Sequence, residues 1–302
     1  MNSKSHNILI KSLMICLFCL SAIFSIQAAP EKRAAKKNAW KPLKGAEYRS
    51  YKKTPQANLH LNIFKPKDWK PGDSRPVVVF FFGGGWVGGN PSQFEPYCQH
   101  LASKGMVAIA AEYRIKSKHK TTPFECVADG KSTIRWVRKH AAELGIDPNR
   151  IVAGGGSAGG HVAASTGTVT GFEEPTEDKQ ISSAPNALAL FNPVIDTTET
   201  GWKGGPKQLG KRCKEISPMH FVRKDLPPTI IFHGTADKTV LIENVERFTK
   251  QMKQLGNRCE LISYPDQGHG FFNRSKSKEN YDSTIKNLDT FLISLGYISP
   301  DK

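Results

Sequence analysis

The sequence predicts a single doubly wound α/β domain, and three observations carry that expectation. Short unbroken apolar runs recur from about residue 76 onward, as parallel strands covered on both faces require. Segments with apolar residues three and four apart lie among them, as helices packed on a sheet require. No internal repeat and no Pro/Ser-rich linker divides the 302 residues, a length that one domain can bury a core with.

Each element follows in chain order. Residues 46–64, with Tyr48, Tyr51, Leu59, Leu61 and Ile63, read as two strands joined by a turn around Pro55, an antiparallel N-terminal edge. Val77–Phe82 and Met106–Ala111 are continuous apolar runs of strand length. Pro123 can take a first helical position, opening a helix to about Glu143 with Val127, Ile134 and Val137 on one face. Ile151–Ala153, Ala187–Phe191, Thr229–Phe232 and Glu260–Tyr264 continue the strand series. Residues 240–255 (Val245, Phe248, Met252, Leu255) and 280–295 (Ile285, Leu288, Leu292, Leu295) repeat the helical spacing. Alternation of this kind predicts a layered sheet with helices on both faces. Residues 171–186 and 197–217 are polar and aperiodic, and are expected as loops of the kind that carry specificity.

The N-terminus points to export. Lys4 and Lys11 precede an apolar run from Leu13 to Ile26 that ends in Gln27-Ala28-Ala29, the pattern of a secretory signal peptide over residues 1–29, with an uncleaved anchor as the alternative. Composition gives 43 Lys+Arg against 27 Asp+Glu. Residues 31–53 alone hold nine Lys/Arg against two acids, so residues 30–45 are expected as a solvated basic leader, with weak adhesion to anionic polysaccharide as its functional alternative. Nucleic acid is not expected as a partner, because the basic run has neither a recognition helix nor interleaved aromatics. Cys98, Cys126, Cys213 and Cys259 form no metal-binding spacing, so no metal is expected; one or two disulfides are plausible in an oxidising compartment, with the pairing open.

The chemistry gathers at three places. Ile151-Val152-Ala153-Gly154-Gly155-Gly156-Ser157-Ala158-Gly159-Gly160-His161 reads as strand, tight turn and helix start, and Gly155-x-Ser157-x-Gly159 fits a nucleophile elbow. So sharp a turn leaves no room for side chains two before and two after the serine, and the following helix aims free N–H groups at a developing anion. Asp237 stands just past the strand Thr229–Phe232, and His269 on the loop after Glu260–Tyr264. The order Ser157, Asp237, His269 is one of the known orders of a serine-histidine-acid triad. Asp196 and Asp266 are alternatives for the acid, and His233 and His161 for the base; the loop after the penultimate strand best reaches the far imidazole nitrogen, which favours Asp237. The run Gly83-Gly84-Gly85-Trp86-Val87-Gly88-Gly89 after a central strand can turn two backbone N–H groups toward the serine, to join that of Ala158 in an oxyanion hole. The same run formally satisfies a dinucleotide fingerprint with Glu112 as ribose contact, but strands precede it and Asn90-Pro91 breaks the helix that fingerprint needs.

Over residues 57–295 these motifs together resemble the α/β-hydrolase family, and more narrowly its branch of hormone-sensitive-lipase-like and secreted acetyl-xylan or feruloyl-type carbohydrate esterases. The markers are Gly83-Gly84-Gly85-Trp86, Ala111-Glu112-Tyr113-Arg114, Asp147-Pro148-Asn149-Arg150-Ile151, Gly156-Ser157-Ala158-Gly159-Gly160-His161, Gly234-Thr235-Ala236-Asp237 and Gly268-His269-Gly270-Phe271. The resemblance implies an α/β-hydrolase domain over 46–302 with little or no cap, Ser157 as nucleophile, His269 as base, Asp237 as orienter, and Gly84, Gly85 and Ala158 as oxyanion donors. It implies Trp86 at the substrate and structural roles for Arg114 and Asp147. Two departures stand out. Phe82 replaces the histidine that usually precedes the glycine triplet, so apolar packing is expected to steady that loop. The residues ahead of the fold are Lys-rich rather than the amphipathic helices of a cap, which implies an open cleft.

The function so implied is a secreted serine carboxylic-ester hydrolase that works through an acyl-enzyme, without cofactor or stable protein partner, on short acyl esters of glycans. The alternatives are a serine peptidase of the prolyl-oligopeptidase type and a hydrolase fold retained for binding alone.

Overall fold

The structure, a computed structural model, describes residues 40–300. The signal-peptide expectation and residues 30–39 of the leader lie outside them. From Lys41 onward the chain forms one compact unit.

Its centre is an eight-stranded sheet of order β1-β2-β4-β3-β5-β6-β7-β8. The strands are β1 (Glu47–Lys53), β2 (Asn58–Phe64), β3 (Arg75–Phe81), β4 (Val107–Ala111), β5 (Ile146–Gly156), β6 (Ala187–Phe191), β7 (Thr229–Gly234) and β8 (Cys259–Tyr264). β1–β2 and β2–β4 pair antiparallel, and every pair from β4 to β8 is parallel. Mostly parallel strands with an antiparallel N-terminal edge are the architecture the apolar runs predicted. Val77–Phe81 of β3, and all of β4 and β6, are apolar without interruption because both faces of the sheet are covered.

The helices are α1 (Glu95–Ser103), α2 (Lys116–His119), α3 (Pro123–Lys139), α4 (Ala141–Leu144), α5 (Ala158–Thr168), α6 (Gly205–Leu209), α7 (Ile242–Gln254) and α8 (Lys278–Ser294). On one face, Tyr97 and Leu101 of α1 and Ile285, Leu288, Phe291 and Leu292 of α8 join Val78, Phe80, Phe191 and Phe232 of the strands in one buried cluster. α3 and α5 pack on each other so closely that a Cβ at Gly130 would lie 2.5 Å from Val162 Cγ1. The reading of a helix to Glu143 is corrected: α3 stops at Lys139, and a separate turn, α4, follows His140. α1 was not foreseen, although Asn90 caps the preceding 3-10 turn and Tyr97, Cys98 and Leu101 are buried at spacings of one and three.

The two expected loops part ways. Residues 171–186 clamp onto α3, where Glu173 pairs with Lys131 and Arg135, and Glu177 with Arg135. Residues 197–217 are not irregular: they hold α6 and a 3-10 turn over Gly210–Ile216, with Leu209 and Ile216 packed on Val127. Lys52, read as part of the solvated basic run, is 7% exposed. Its ammonium lies 2.8 Å from both Asp129 Oδ1 and Glu174 Oε2, and donates to Ser132 Oγ at 2.9 Å. Asp129 also takes a two-pronged bond from Arg114. Asp147 binds Arg150 and the amide of Asn149, so Arg114 and Asp147 do hold structure. Cys98, Cys126, Cys213 and Cys259 are all free thiols, which corrects the disulfide expectation; Cys126, for one, is spent on the carbonyl of Arg114.

Candidate active site

β5 ends at Gly156 and α5 begins at Ala158, so Ser157 is the whole of the turn between them. Its backbone sits at φ 53°, ψ −117°, a region that costs a non-glycine residue roughly 1–3 kcal/mol and persists only where the surroundings enforce it. They do so here. The Ser157 N–H donates to Phe191 O at 2.9 Å, and its carbonyl accepts from His161 N at 2.9 Å. A Cβ at Gly155 would lie 2.4 Å from Gly159 O, and one at Gly159 2.1 Å from Phe81 O, so both glycines of the elbow are sterically required.

Three side chains from three strand ends meet at that turn. His269 Nε2 lies 2.8 Å from Ser157 Oγ, and His269 Nδ1 lies 2.7 Å from Asp237 Oδ2. The other carboxylate oxygen of Asp237 accepts the backbone N–H groups of Thr239 and Val240 at 2.8 and 2.9 Å. Burial alone would raise the Asp237 carboxyl, but the bonds from His269 and these two amides outweigh it and hold it below the usual carboxylate range. An ionised Asp237 on Nδ1 places the imidazole proton there and leaves the Nε2 lone pair facing the serine hydroxyl.

The alternatives for acid and base are occupied elsewhere. Asp196 Oδ1 accepts from the amide and hydroxyl of Thr198. Asp266 is exposed at a turn with φ 58°, and the His269 Nδ1 it would have to orient is taken by Asp237. His233 Nε2 donates to Val240 O at 2.8 Å, and burial lowers its pKa. His161 Nε2 donates to Ile216 O at 2.7 Å, and burial pushes its pKa down to about 4. Glu112, the ribose contact of the dinucleotide reading, is taken by the Tyr48 hydroxyl and the His60 amide.

The glycine loop after β3 arches over the serine. Gly84 and Gly85 have φ of 130° and 62°, and the Gly84 carbonyl accepts from the amides of Val87 and Gly88. The N–H of Gly83 is spent on Gln93 Oε1 at 2.6 Å, and Gln93 Nε2 donates on to Asn273. Among the described residues no protein acceptor takes the N–H groups of Gly84, Gly85 or Ala158, and all three residues line one cavity of about 330 Å³ with Ser157 and His269. Apolar packing in place of the missing histidine is only half of what steadies the loop. Phe82 does stack on Tyr113, with ring centroids 4.3 Å apart, but Tyr113 also donates to the Phe82 carbonyl and Gln93 anchors Gly83.

Trp86 lines the same cavity as a wall rather than a lip, since it is 1% exposed. Its ring meets Trp202 edge-on at 5.2 Å and His161 at 5.1 Å. Sequence reasoning missed Gln93, Asn192 and Trp202, which line the cavity too. Gln93 and Trp202 sit in stretches without periodicity, where nothing local reveals what they face. Asn192 had a signal: it directly follows β6, at the strand end where ligand sites of such sheets gather.

The chain is similar to known ester hydrolases in sequence and in fold. Residues 61–252 match the BD-FAE family model, and residues 214–295 the dienelactone hydrolase family model. The chain is 29% identical over 246 residues to the probable carboxylic ester hydrolase LipM of Mycobacterium tuberculosis, covering 74% of this chain and 55% of that protein. It is 27% identical over 238 residues to carboxylesterase NlhH of the same species, covering 68% and 70%. It thus spans little more than half the length of several curated relatives it matches. Among solved structures, the propionate-bound form of an esterase, Est2, from Thermogutta terrifontis is similar with a TM-score of 0.82 and 50% identity, covering 86% of this chain and 97% of that one. The same esterase phosphonylated by sarin gives 0.84 and 48%, covering 86% and 99%.

Proposed function

The chain belongs to the α/β-hydrolase family of esterases, matching the BD-FAE model across residues 61–252, and from that membership we propose that it is a serine carboxylic-ester hydrolase working through an acyl-enzyme. The observation that carries the reading is the unbroken line Asp237–His269–Ser157 at 2.7 and 2.8 Å, ending beside a cavity into which three spare amides open. His269 takes the Ser157 proton as the oxygen attacks the ester carbon. The N–H groups of Gly84, Gly85 and Ala158 receive the oxyanion, each such donor being worth ~3–4 kcal/mol when removed. His269 then returns the proton to the departing alcohol, and water repeats the cycle on the acyl-enzyme.

Ser157→Ala tests this. Ester hydrolysis by the variant should fall by several orders of magnitude with the fold intact, and a phosphonate should label only the wild type. Labelling of the variant at the wild-type rate sinks the assignment.

The substrate is further proposed to be a short acyl ester on a glycan, met outside the cell. The small cavity and the propionate- and butyrate-bound forms of the Thermogutta esterase support a short acyl group. The absence of a large cap among the described residues supports a bulky alcohol, and the pattern of residues 1–29 supports export. Rates on acetyl, butyryl, octanoyl and feruloyl esters, and on acetylated xylan, decide the substrate. The N-terminus of the protein recovered from culture medium decides the export.

A further inference from the structure

The wall formed by Trp86 and Trp202 has two sides. On one lies the catalytic cavity of about 330 Å³; on the other a second cavity of about 530 Å³, lined by the same two indoles together with Val87, Thr121 and Pro123. Val87 is 42% exposed, one of only two large apolar side chains so exposed among the described residues. Lys116, Lys120 and Lys207, all exposed, stand around this second space. The two indoles therefore line both the cavity of the reacting serine and a larger hollow beside it.

The geometry of the reaction says which part of the substrate meets that wall. Four groups surround the attacked carbon: Ser157 Oγ, the oxyanion, the departing oxygen and the acyl chain. The departing oxygen must stay within reach of His269 Nε2 to receive its proton, so the alcohol lies on the side of His269, Asn273 and Lys276. The oxyanion faces Gly84, Gly85 and Ala158. The remaining corner is the one closed by Trp86, Val194 and Trp202. Resting on the esterase reading above, we propose that Trp202 is the specificity-determining residue for acyl length, capping the acyl corner and holding the chain out of the second cavity.

Trp202 is held for this. Gly204 lies so close under its ring that a Cβ there would meet it at 2.3 Å. The turn that carries it is anchored by Asn244, whose buried amide donates to Gly201 O at 2.7 Å. Trp86 is fully buried at φ 58° beneath the loop that bears the oxyanion donors, so it is fixed by the fold. Trp202 is only half-buried and carried by the excursion between β6 and β7, so it is the half of the wall that substitution can remove.

The experiment measures kcat/KM for p-nitrophenyl acetate, hexanoate and octanoate in the wild type, Trp202→Ala and Gly204→Ala. Trp202→Ala should join the two cavities and raise the octanoate-to-acetate ratio at least about tenfold, the discrimination a few methylenes command in an apolar site. Gly204→Ala displaces the ring without removing it and should raise the ratio in the same direction. Active-site titration with a phosphonate corrects each rate for the folded fraction. A wild type that hydrolyses acetate, with a ratio unchanged in both variants, overturns the proposal. A wild type inert to all three esters overturns the esterase reading itself.

Discussion

The side-chain oxygen of Asn192 accepts the backbone N–H of Gly270 at 2.9 Å, one residue beyond the catalytic-site histidine. Asn192 is fully buried, sits at φ 35°, and donates its own N–H to Phe232 O at 2.7 Å. The end of β6 thereby fixes the loop that follows β8, across the intervening β7. Asn192→Ala should lower kcat by about 10–100-fold, with a smaller change in KM, because a misplacement of an ångström can cost that much. Asn192→Asp keeps the acceptor but sets a negative charge near the imidazole. The acid limb of its pH–kcat/KM profile should move to higher pH while kcat recovers relative to Asn192→Ala, because the acceptor for Gly270 is kept.

Asp237→Asn tests the orienting carboxylate. Its amide can hold His269 in the wrong tautomer, and kcat should drop by roughly 10⁴-fold. Asp196→Asn should leave turnover of a small ester within a few-fold, since Asp196 serves Thr198 and Ser217. Steady-state rates on p-nitrophenyl acetate decide between them, and the reverse ranking moves the acid to the end of β6.

His161 predicts an acid-side loss of stability. Its folded pKa, about 4, lies below the ordinary histidine value, so on acidification the unfolded chain takes up a proton that the folded chain refuses. Its contribution is complete above about pH 6.5 and drains away as pH falls toward 4, by about 3 kcal/mol in all. His161→Gln removes this titration. The fall in Tm between pH 7 and pH 4.5 should be smaller in the variant than in the wild type, by thermal melts in matched buffers.

The sheet was legible in the sequence because parallel strands buried on both faces leave continuous apolar runs, as in Val77–Phe81 and Ala187–Phe191. The elbow was legible because its sterics admit only glycine at Gly155 and Gly159, a requirement written into the chain locally. Contacts between residues distant in sequence leave no such trace. Gln93 meets Gly83 and Asn273, the latter 180 positions away. Trp202 gains its meaning from Trp86, and residues 171–186 gain theirs from Lys131 and Arg135 of α3. Lys52 read as one more solvated charge because its acidic partners stand at positions 129 and 174.

The buried charges around Lys52 also bear on the tempo of folding. The cluster draws on β1, the segment after β4, α3 and the loop beyond α5, so it can close only when all four have docked. If the cluster completes after the transition state, what it stabilises it stabilises against escape from the native state. Lys52→Met leaves Asp129 with Arg114 alone and takes the cation from Glu174, and it should speed unfolding in denaturant-jump kinetics while leaving the refolding rate nearly unchanged. That outcome would make the N-terminal edge strand the latch of the domain, closed last and opened first.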